Sequence, residues 1–119
     1  MIINLFTTAN YTCPMAVTNE IQSFVNSMNI VRKDDWSQLE FMINQVQNYF
    51  SARLRQDYPM LSENDIHLIL LIRTDISNPR IARIMNIESG SFRMGRYRLK
   101  KKMGIETNSF SNFIRELYT

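Results

Sequence analysis

The 119-residue chain has few of the residues on which turns, disulfides and metal sites depend. It contains three glycines, three prolines, one cysteine and one histidine. So little glycine and proline disfavours a loop-rich β-sandwich and favours long helices. Cys13 has no second cysteine with which to pair, which fits a reducing compartment. Cys13 and His67 together are too small a set of ligands for a structural zinc ion.

Membrane proteins and enzymes also lack support in the sequence. No apolar run reaches the ~18 residues that a membrane span needs, and the start of the chain lacks the basic region of a signal peptide. A phosphate-binding loop, a pair of catalytic carboxylates and a nucleophile triad are all missing. We therefore expect a cytoplasmic protein that is not an enzyme and that holds no metal and no cofactor.

Charge is distributed unevenly along the chain, although the net charge is only +3. Residues 1–75 hold five Lys or Arg and eight Asp or Glu, whereas residues 76–119 hold nine and three. The two parts therefore carry net charges of −3 and +6. This difference suggests that the basic end of the protein meets a polyanion.

The hydrophobic pattern predicts an all-α chain that divides into three segments. Residues 1–16 have no clear period and are predicted to form an N-terminal arm, either poorly ordered or docked. Residues 17–60 are predicted to form a helical linker or interaction segment, whose first helix begins at Thr18 or Asn19. Residues 61–119 are predicted to form a domain of four helices.

A longer helix is predicted within the second segment, from Asp34 or Asp35 to about Gln56. It ends before Pro59, because a residue that precedes proline is pushed out of the α region. Its apolar residues form one wide face, which comprises Trp36, Leu39, Met42, Ile43, Val46, Tyr49, Phe50 and Leu54. A face this wide needs a packing partner, from this chain or another. Aromatic residues at helical spacing, here including Phe41 and Tyr58, indicate a core or an interface rather than a ligand cage.

The first helix of the third segment is predicted to be its most buried one. Ser62 and Asp65 resemble a capping box at its start, and it runs through Arg73. Its residues are apolar nearly all round, so we expect burial on two sides. One side should contact the two helices that follow, and the other should contact the helix that carries Trp36.

Capping signals delimit the remaining helices. Ser77 caps a helix that accepts Pro79 in its first turn. A turn over residues 86–88 leads to a second helix, capped by Glu88 or Ser89 and ended by Gly104. A last helix is predicted to begin at Thr107 or Asn108, with an apolar face made of Phe110, Phe113, Ile114 and Leu117.

The segment that contains the helix predicted over about residues 89–103 carries most of the positive charge. Eight Lys or Arg and one acid, Glu88, lie between residues 80 and 102. At 100° per residue, the side that faces the core takes Phe92, Gly95, Leu99 and Met103. The opposite side takes Gly90, Arg93, Met94, Tyr97, Arg98 and Lys101. A short helix, a turn and a basic helix are typical of helix-turn-helix proteins, which place the second helix in the DNA major groove.

Residues 61–117 resemble the LuxR-type (GerE-like) helix-turn-helix domain of bacterial transcription regulators. The resemblance is carried by Leu61-Ser62, Ile76-Ser77-Asn78, Ile81-Ala82, Met85-Asn86-Ile87, Ser91-Phe92 and Lys101-Lys102-Met103-Gly104. The run over residues 96–104, with Trp36 and the Tyr58 to Leu61 segment upstream, is similar to C-terminal effector domains of a Bacteroidetes branch. The resemblance implies a DNA-binding regulator.

The resemblance also implies a role for individual residues. The base-reading positions of the family correspond to Arg93, Met94 and Tyr97, and the family commonly forms dimers through its last helix. That helix would here contribute Phe110, Phe113, Ile114 and Leu117. From their charge and their place on the helix, we expect contacts to DNA phosphates from Ser89, Ser91, Arg98, Lys100, Lys101 and Lys102.

Two departures from the family pattern keep alternatives open. Pro79-Arg80 stands where the family has Lys-Glu, and Gly90 and Gly95 both fall in the basic helix. Close helix packing would explain Gly95. The alternative is a helical protein–protein interaction module that retains the fold with a degenerate DNA-binding face. A third hypothesis, sigma-factor region 4, shares the motif but does not account for the fourth helix.

Overall fold

A computed structural model of the protein describes residues 19–28 and 33–118. The predicted arm at residues 1–16 and Cys13 lie outside the described residues. The described part of the chain is all-helical, as predicted, and contains no strand. Its helices are α1 (Asn19–Asn26), α2 (Lys33–Val46), α3 (Phe50–Asp57), α4 (Glu63–Arg73), α5 (Asn78–Met85), α6 (Ser89–Lys102) and α7 (Phe110–Glu116).

The single helix predicted from Asp34 or Asp35 to Gln56 is wrong, because the chain breaks it into α2 and α3. Asn48 and Tyr49 adopt the left-handed conformation, with φ of 57° and 58°. The described residues before position 61 therefore form three helices, where one or two were predicted. A hydrogen bond between α2 and α3 stabilises the turn: Asn44 Oδ1 accepts from the Ser51 amide at 2.9 Å.

The break also changes which side chains of the predicted apolar face are buried. Leu39, Ile43, Phe50 and Leu54 lie in the core, and Trp36 and Met42 pack against it. Val46 and Tyr49 are instead exposed, at 38% and 66%, because the turn directs the chain away from the line of α2. Phe41 is also exposed, at 58%.

Helix α4 lies at the centre of the molecule. The capping box at its start is formed as predicted: Ser62 Oγ accepts from the Asp65 amide at 3.1 Å, and Asp65 Oδ2 accepts from the Ser62 amide at 2.9 Å. Helices α2, α5 and α7 all contact α4. The buried residues of α4 are Ile66, Leu68, Ile69, Leu70, Leu71, Ile72 and Arg73. Burial on two sides is therefore confirmed.

Arg73 joins three elements from its buried position at the end of α4. Its Nε donates to Gln47 Oε1 at 2.7 Å, and its Nη1 donates to the carbonyls of Ile114 and Leu117, each at 2.6 Å. The guanidinium also lies 4.3 Å from the centre of the Phe50 ring. Burial lowers the pKa of Arg73 to about 10, which leaves the side chain charged at neutral pH.

Helix α1 packs against α2, and hydrogen bonds connect it to the junction between α4 and α5. Gln22 Nε2 donates to the Thr74 carbonyl, and Arg80 Nη2 donates to the carbonyls of Asn26 and Met28. The carbonyls at the end of a helix lack partners within the helix, so Arg80 satisfies groups that would otherwise need water. One hydrophobic core cluster therefore extends across the boundary that the sequence suggested at residue 60.

The apolar face of α7 is used inside the chain, where it packs against α4. Phe110 and Ile114 are buried, and Phe113 and Leu117 pack against the core. Of these four residues, which were predicted to form a dimer surface, Phe110 and Ile114 are thus covered within the chain, while Phe113 and Leu117 stay partly exposed. The start of α7 also differs from the prediction, because Ser109 rather than Thr107 or Asn108 is the N-cap.

Candidate nucleic-acid interface

Helices α5 and α6 are positioned by local signals that the sequence contains. Ser77 Oγ accepts from the Arg80 amide at 3.3 Å, with Pro79 in the first turn of α5. Asn86, with φ of 58°, ends α5, and Glu88 occupies the N-cap position of α6 without a capping bond from its side chain. Gly104, with φ of 72°, lies directly after α6, in the left-handed conformation that glycine adopts without strain.

Three apolar residues hold α6 against the rest of the protein. Phe92, Leu99 and Met103 are buried, as the helical period predicts. Gly95 was assigned to the same side and to close packing, and that explanation is wrong. A Cβ atom added at Gly95 would meet no atom within 4 Å. No steric reason for the glycine is found at this position.

The three residues predicted to contact bases are exposed together on the outer side of α6. Arg93 is exposed and has no hydrogen-bond or ion-pair partner among the described residues. Met94 and Tyr97 are 47% and 53% exposed, so both side chains are accessible to another molecule. Lys101 Nζ lies 5.1 Å from the centre of the Tyr97 ring, within the range of a cation–π contact.

The predicted phosphate-contacting residues fall into two groups. Ser89, Ser91, Arg98 and Lys101 are exposed, and none has an internal hydrogen bond or ion pair from its side chain within the described range. Lys100 and Lys102 instead have partners in the protein, which sequence reasoning missed. Lys100 Nζ donates to the Thr107 carbonyl, and Lys102 Nζ lies 2.6 Å from Asp65 Oδ2.

The ion pair between Lys102 and Asp65 joins the end of α6 to the start of α4. Burial raises the pKa of Asp65, but hydrogen bonds from Lys102 and Ser62 outweigh it and hold that pKa below its usual value. The carboxylate thus neutralises the lysine at neutral pH. This pairing could not be read from the sequence, because the two residues are 37 positions apart.

Arg96 is a further basic residue of α6 that the sequence assigned to no role. Its Nη2 donates to Ser111 Oγ at 2.7 Å, and its guanidinium lies 5.7 Å from the centre of the Phe92 ring. Burial, together with the nearby charge of Arg115, lowers the pKa of Arg96. The side chain therefore lies along one flank of α6, between the core and the outer face.

The described residues offer neither a metal site nor a membrane-spanning helix. No group of His, Cys, Asp and Glu side chains there could hold a metal ion. His67, the only histidine, stacks on Trp36 with ring centres 4.1 Å apart and planes 7° apart, in keeping with a packing role. Over residues 19–28 and 33–118, no helix combines the length and the apolar character that a membrane crossing requires.

Comparison of the chain with protein families, with curated proteins and with solved structures finds no match to any of them.

Proposed function

We propose that the protein is a bacterial transcription regulator of the LuxR type that binds double-stranded DNA by placing α6 in the major groove. The observation that carries the proposal is the outer face of α6. It exposes Arg93, Arg98 and Lys101 around two large side chains, Met94 and Tyr97. A regulator of this kind acts on DNA in the bacterial cytoplasm.

The charge and size of α6 are suited to this role. Its 14 residues contain six Lys or Arg and no acid. A helix of this length is about 21 Å long, and the major groove is wide enough to admit it. Arg98 and Lys101 are exposed on the outer face of α6, and in this proposal they contact phosphates, which supply most of the affinity.

Base reading in this proposal depends on Arg93, Met94 and Tyr97. An arginine can donate two hydrogen bonds to O6 and N7 of guanine, a contact worth about 1–3 kcal/mol of discrimination. Met94 can offer apolar contact to a thymine methyl group, and Tyr97 can reach a base edge or a phosphate. Arg93 is therefore the residue on which sequence selectivity should depend most strongly.

The direct test is selection of bound duplexes from a random pool at moderate salt with the full chain. We expect enrichment of one sequence, repeated with two-fold symmetry if the protein binds as a homodimer. Retention of no duplex would contradict the proposal and favour the protein–protein interaction module. Enrichment of a single unrepeated site would retain DNA binding and overturn the dimer.

Variants then assign roles to single residues on the selected duplex. Arg93→Ala should reduce the preference for that duplex over a scrambled one by about fivefold or more. Lys101→Ala should weaken binding to both duplexes equally and reduce the magnitude of the slope of log affinity against log salt by about one. Lys102→Ala is the matched control, and its effect should be smaller because Asp65 already neutralises that lysine. An unchanged slope in Lys101→Ala would refute its contact with phosphate.

A further inference from the structure

A groove with a volume of about 410 Å³ runs beside α6, between the start of α5 and the start of α7. Ser89, Arg93, Arg96 and Lys100 line it from one flank of α6, where they follow one another at helical spacing. Asn108 lies on the α7 side. The size is within the range of small-molecule sites, which begin at about 300 Å³.

The groove is positively charged and no carboxylate lines it. Arg93 has no internal partner among the described residues. Arg96 donates one hydrogen bond, to Ser111, and Lys100 donates one, to the Thr107 carbonyl. A guanidinium has five donors and an ammonium three, so most of these donors remain for a ligand. Cations in a concave, partly apolar site concentrate the field that attracts an anion.

The remainder of the lining is mostly apolar. Pro79 and Ala82 contribute to it together with Phe92 and Phe110, whose rings are almost fully buried. Tyr97 lies at the rim with about half of its side chain exposed. This exposed ring can accept the flat face of a ligand ring, because a base stacks on an aromatic side chain whatever its sequence identity. The cations and Tyr97 are therefore suited to the two ends of a single ligand.

We propose that this groove binds a small phosphorylated ligand with a flat ring, of the size and chemistry of a nucleoside monophosphate. Arg93, Arg96 and Lys100 hold the phosphate, and the ring of the ligand stacks on Tyr97. Arg93 and Tyr97 also belong to the proposed DNA-binding face, so bound ligand and duplex compete. Only this last consequence rests on the proposed function, because the groove and its charges exist without DNA.

The test is titration of the full chain, labelled with ¹⁵N, with adenosine monophosphate, adenosine and inorganic phosphate at constant ionic strength. We expect saturable shifts of backbone amides at Ser89, Arg96 and Asn108 with the monophosphate. Adenosine and phosphate should each bind at least about tenfold more weakly, since each lacks one of the two contacts. Equal affinity for all three probes, or no saturable shift, would overturn the proposal.

Substitutions distinguish a specific site in the groove from nonspecific attraction of the monophosphate to a basic surface. Arg96→Gln and Arg93→Gln should each weaken binding of the monophosphate about tenfold. Arg93 is exposed and without an internal partner, so its variant tests the groove even if Arg96→Gln fails to fold. Arg83→Gln removes the same charge from an exposed position outside the groove and should change the affinity less than twofold. Equal losses in all three variants would refute the site.

A competition experiment distinguishes this proposal from the proposed function. If the selected duplex is displaced by the monophosphate but not by adenosine, both proposals are supported. If the monophosphate binds and no duplex is retained in the selection, the groove stands and the DNA-binding proposal fails. If a duplex is retained and the monophosphate produces no shift, only the groove proposal fails.

Discussion

Helices α4 and α6 use their side chains in opposite ways. Seven of the 11 residues of α4 are buried, whereas two of the 14 residues of α6 are. Helix α4 contacts neighbours on several sides, while α6 rests on a narrow apolar strip and exposes the rest. Stability should therefore depend mainly on α4, and α6 is available for contacts with another molecule.

The same contrast holds for arginines of the two helices. Arg73 of α4 is 2% exposed and donates to a side chain and two backbone carbonyls. Arg93 of α6 is exposed and makes no such bond within the described residues. Arg73 therefore stabilises the fold, whereas the side chain of Arg93 contributes no hydrogen bond to it.

The largest effect that would test this contrast is expected from Arg73→Ala. The change removes the three hydrogen bonds that Arg73 donates to Gln47 and to the carbonyls of Ile114 and Leu117, and it opens a cavity. Hydrogen bonds to a charged group contribute about 1.5–3 kcal/mol each, so the free energy of unfolding should fall by about 3 kcal/mol or more. Urea denaturation followed by circular dichroism measures this change.

The control for that substitution is Arg93→Ala, which removes the same side chain from an exposed site. Its free energy of unfolding should stay within about 0.5 kcal/mol of the parent value. Similar losses in the two variants would contradict the division of roles between α4 and α6.

A smaller effect of opposite sign is expected from Gly95→Ala. A glycine in the interior of a helix costs about 0.5–1 kcal/mol relative to alanine, and a Cβ here would meet no neighbour. The substitution should therefore raise the midpoint of thermal unfolding. Gly104→Ala is the matched control, because its φ of 72° disfavours any side chain and the midpoint should fall. A lower midpoint of thermal unfolding in Gly95→Ala would show that α6 requires glycine at this position for a reason other than packing.

The smallest effect concerns the only histidine, which lies on α4. Burial lowers the pKa of His67, opposed by Glu63 and Glu40 and assisted by Arg55, while its ring stacks on Trp36. The unfolded chain therefore binds this proton more readily than the folded one. Stability present above pH 6.5 should be lost gradually as the pH falls from 6.5 through the lower pKa of the folded state.

Urea denaturation at pH 7.5 and pH 5.5 checks this expectation, with His67→Phe as the control that retains an aromatic ring. The free energy of unfolding of the parent should be lower at pH 5.5 than at pH 7.5, and this difference should be smaller in the variant. Glu63 and Asp65 have pKa values below their usual range, so their contribution is lost at lower pH and leaves this window unaffected. Identical pH dependence in the two proteins would show that His67 is not the titrating group.

Much of the arrangement of α4, α5 and α6 could be predicted because it depends on neighbouring residues. The capping box at Ser62, the cap at Ser77 and the left-handed Gly104 each act within one turn of helix. The helical period alone sorted Phe92 and Leu99 from the exposed residues of α6. Such signals remain valid whatever the rest of the chain does.

Predictions failed where a local preference was overridden by distant contacts. The residues from α2 into α3 have a continuous helical pattern, yet the chain turns at Asn48 and Tyr49. The turn places Gln47 beside Arg73, which is 26 positions away, and Phe50 under the same guanidinium. The spacing of apolar residues carries no information about a hydrogen bond between residues so far apart in the sequence.

The sequence by itself determined the helical class, the caps of the central helices, and the positive charge and the division of faces on α6. These follow from the helical period and from hydrogen bonds between near neighbours. Only the tertiary structure decided which basic residues remain available, because the partners of Arg80 and Lys102 lie between 37 and 54 positions away. It also placed the apolar side of α7 in the core and left a cationic groove beside α6, since burial depends on how helices meet.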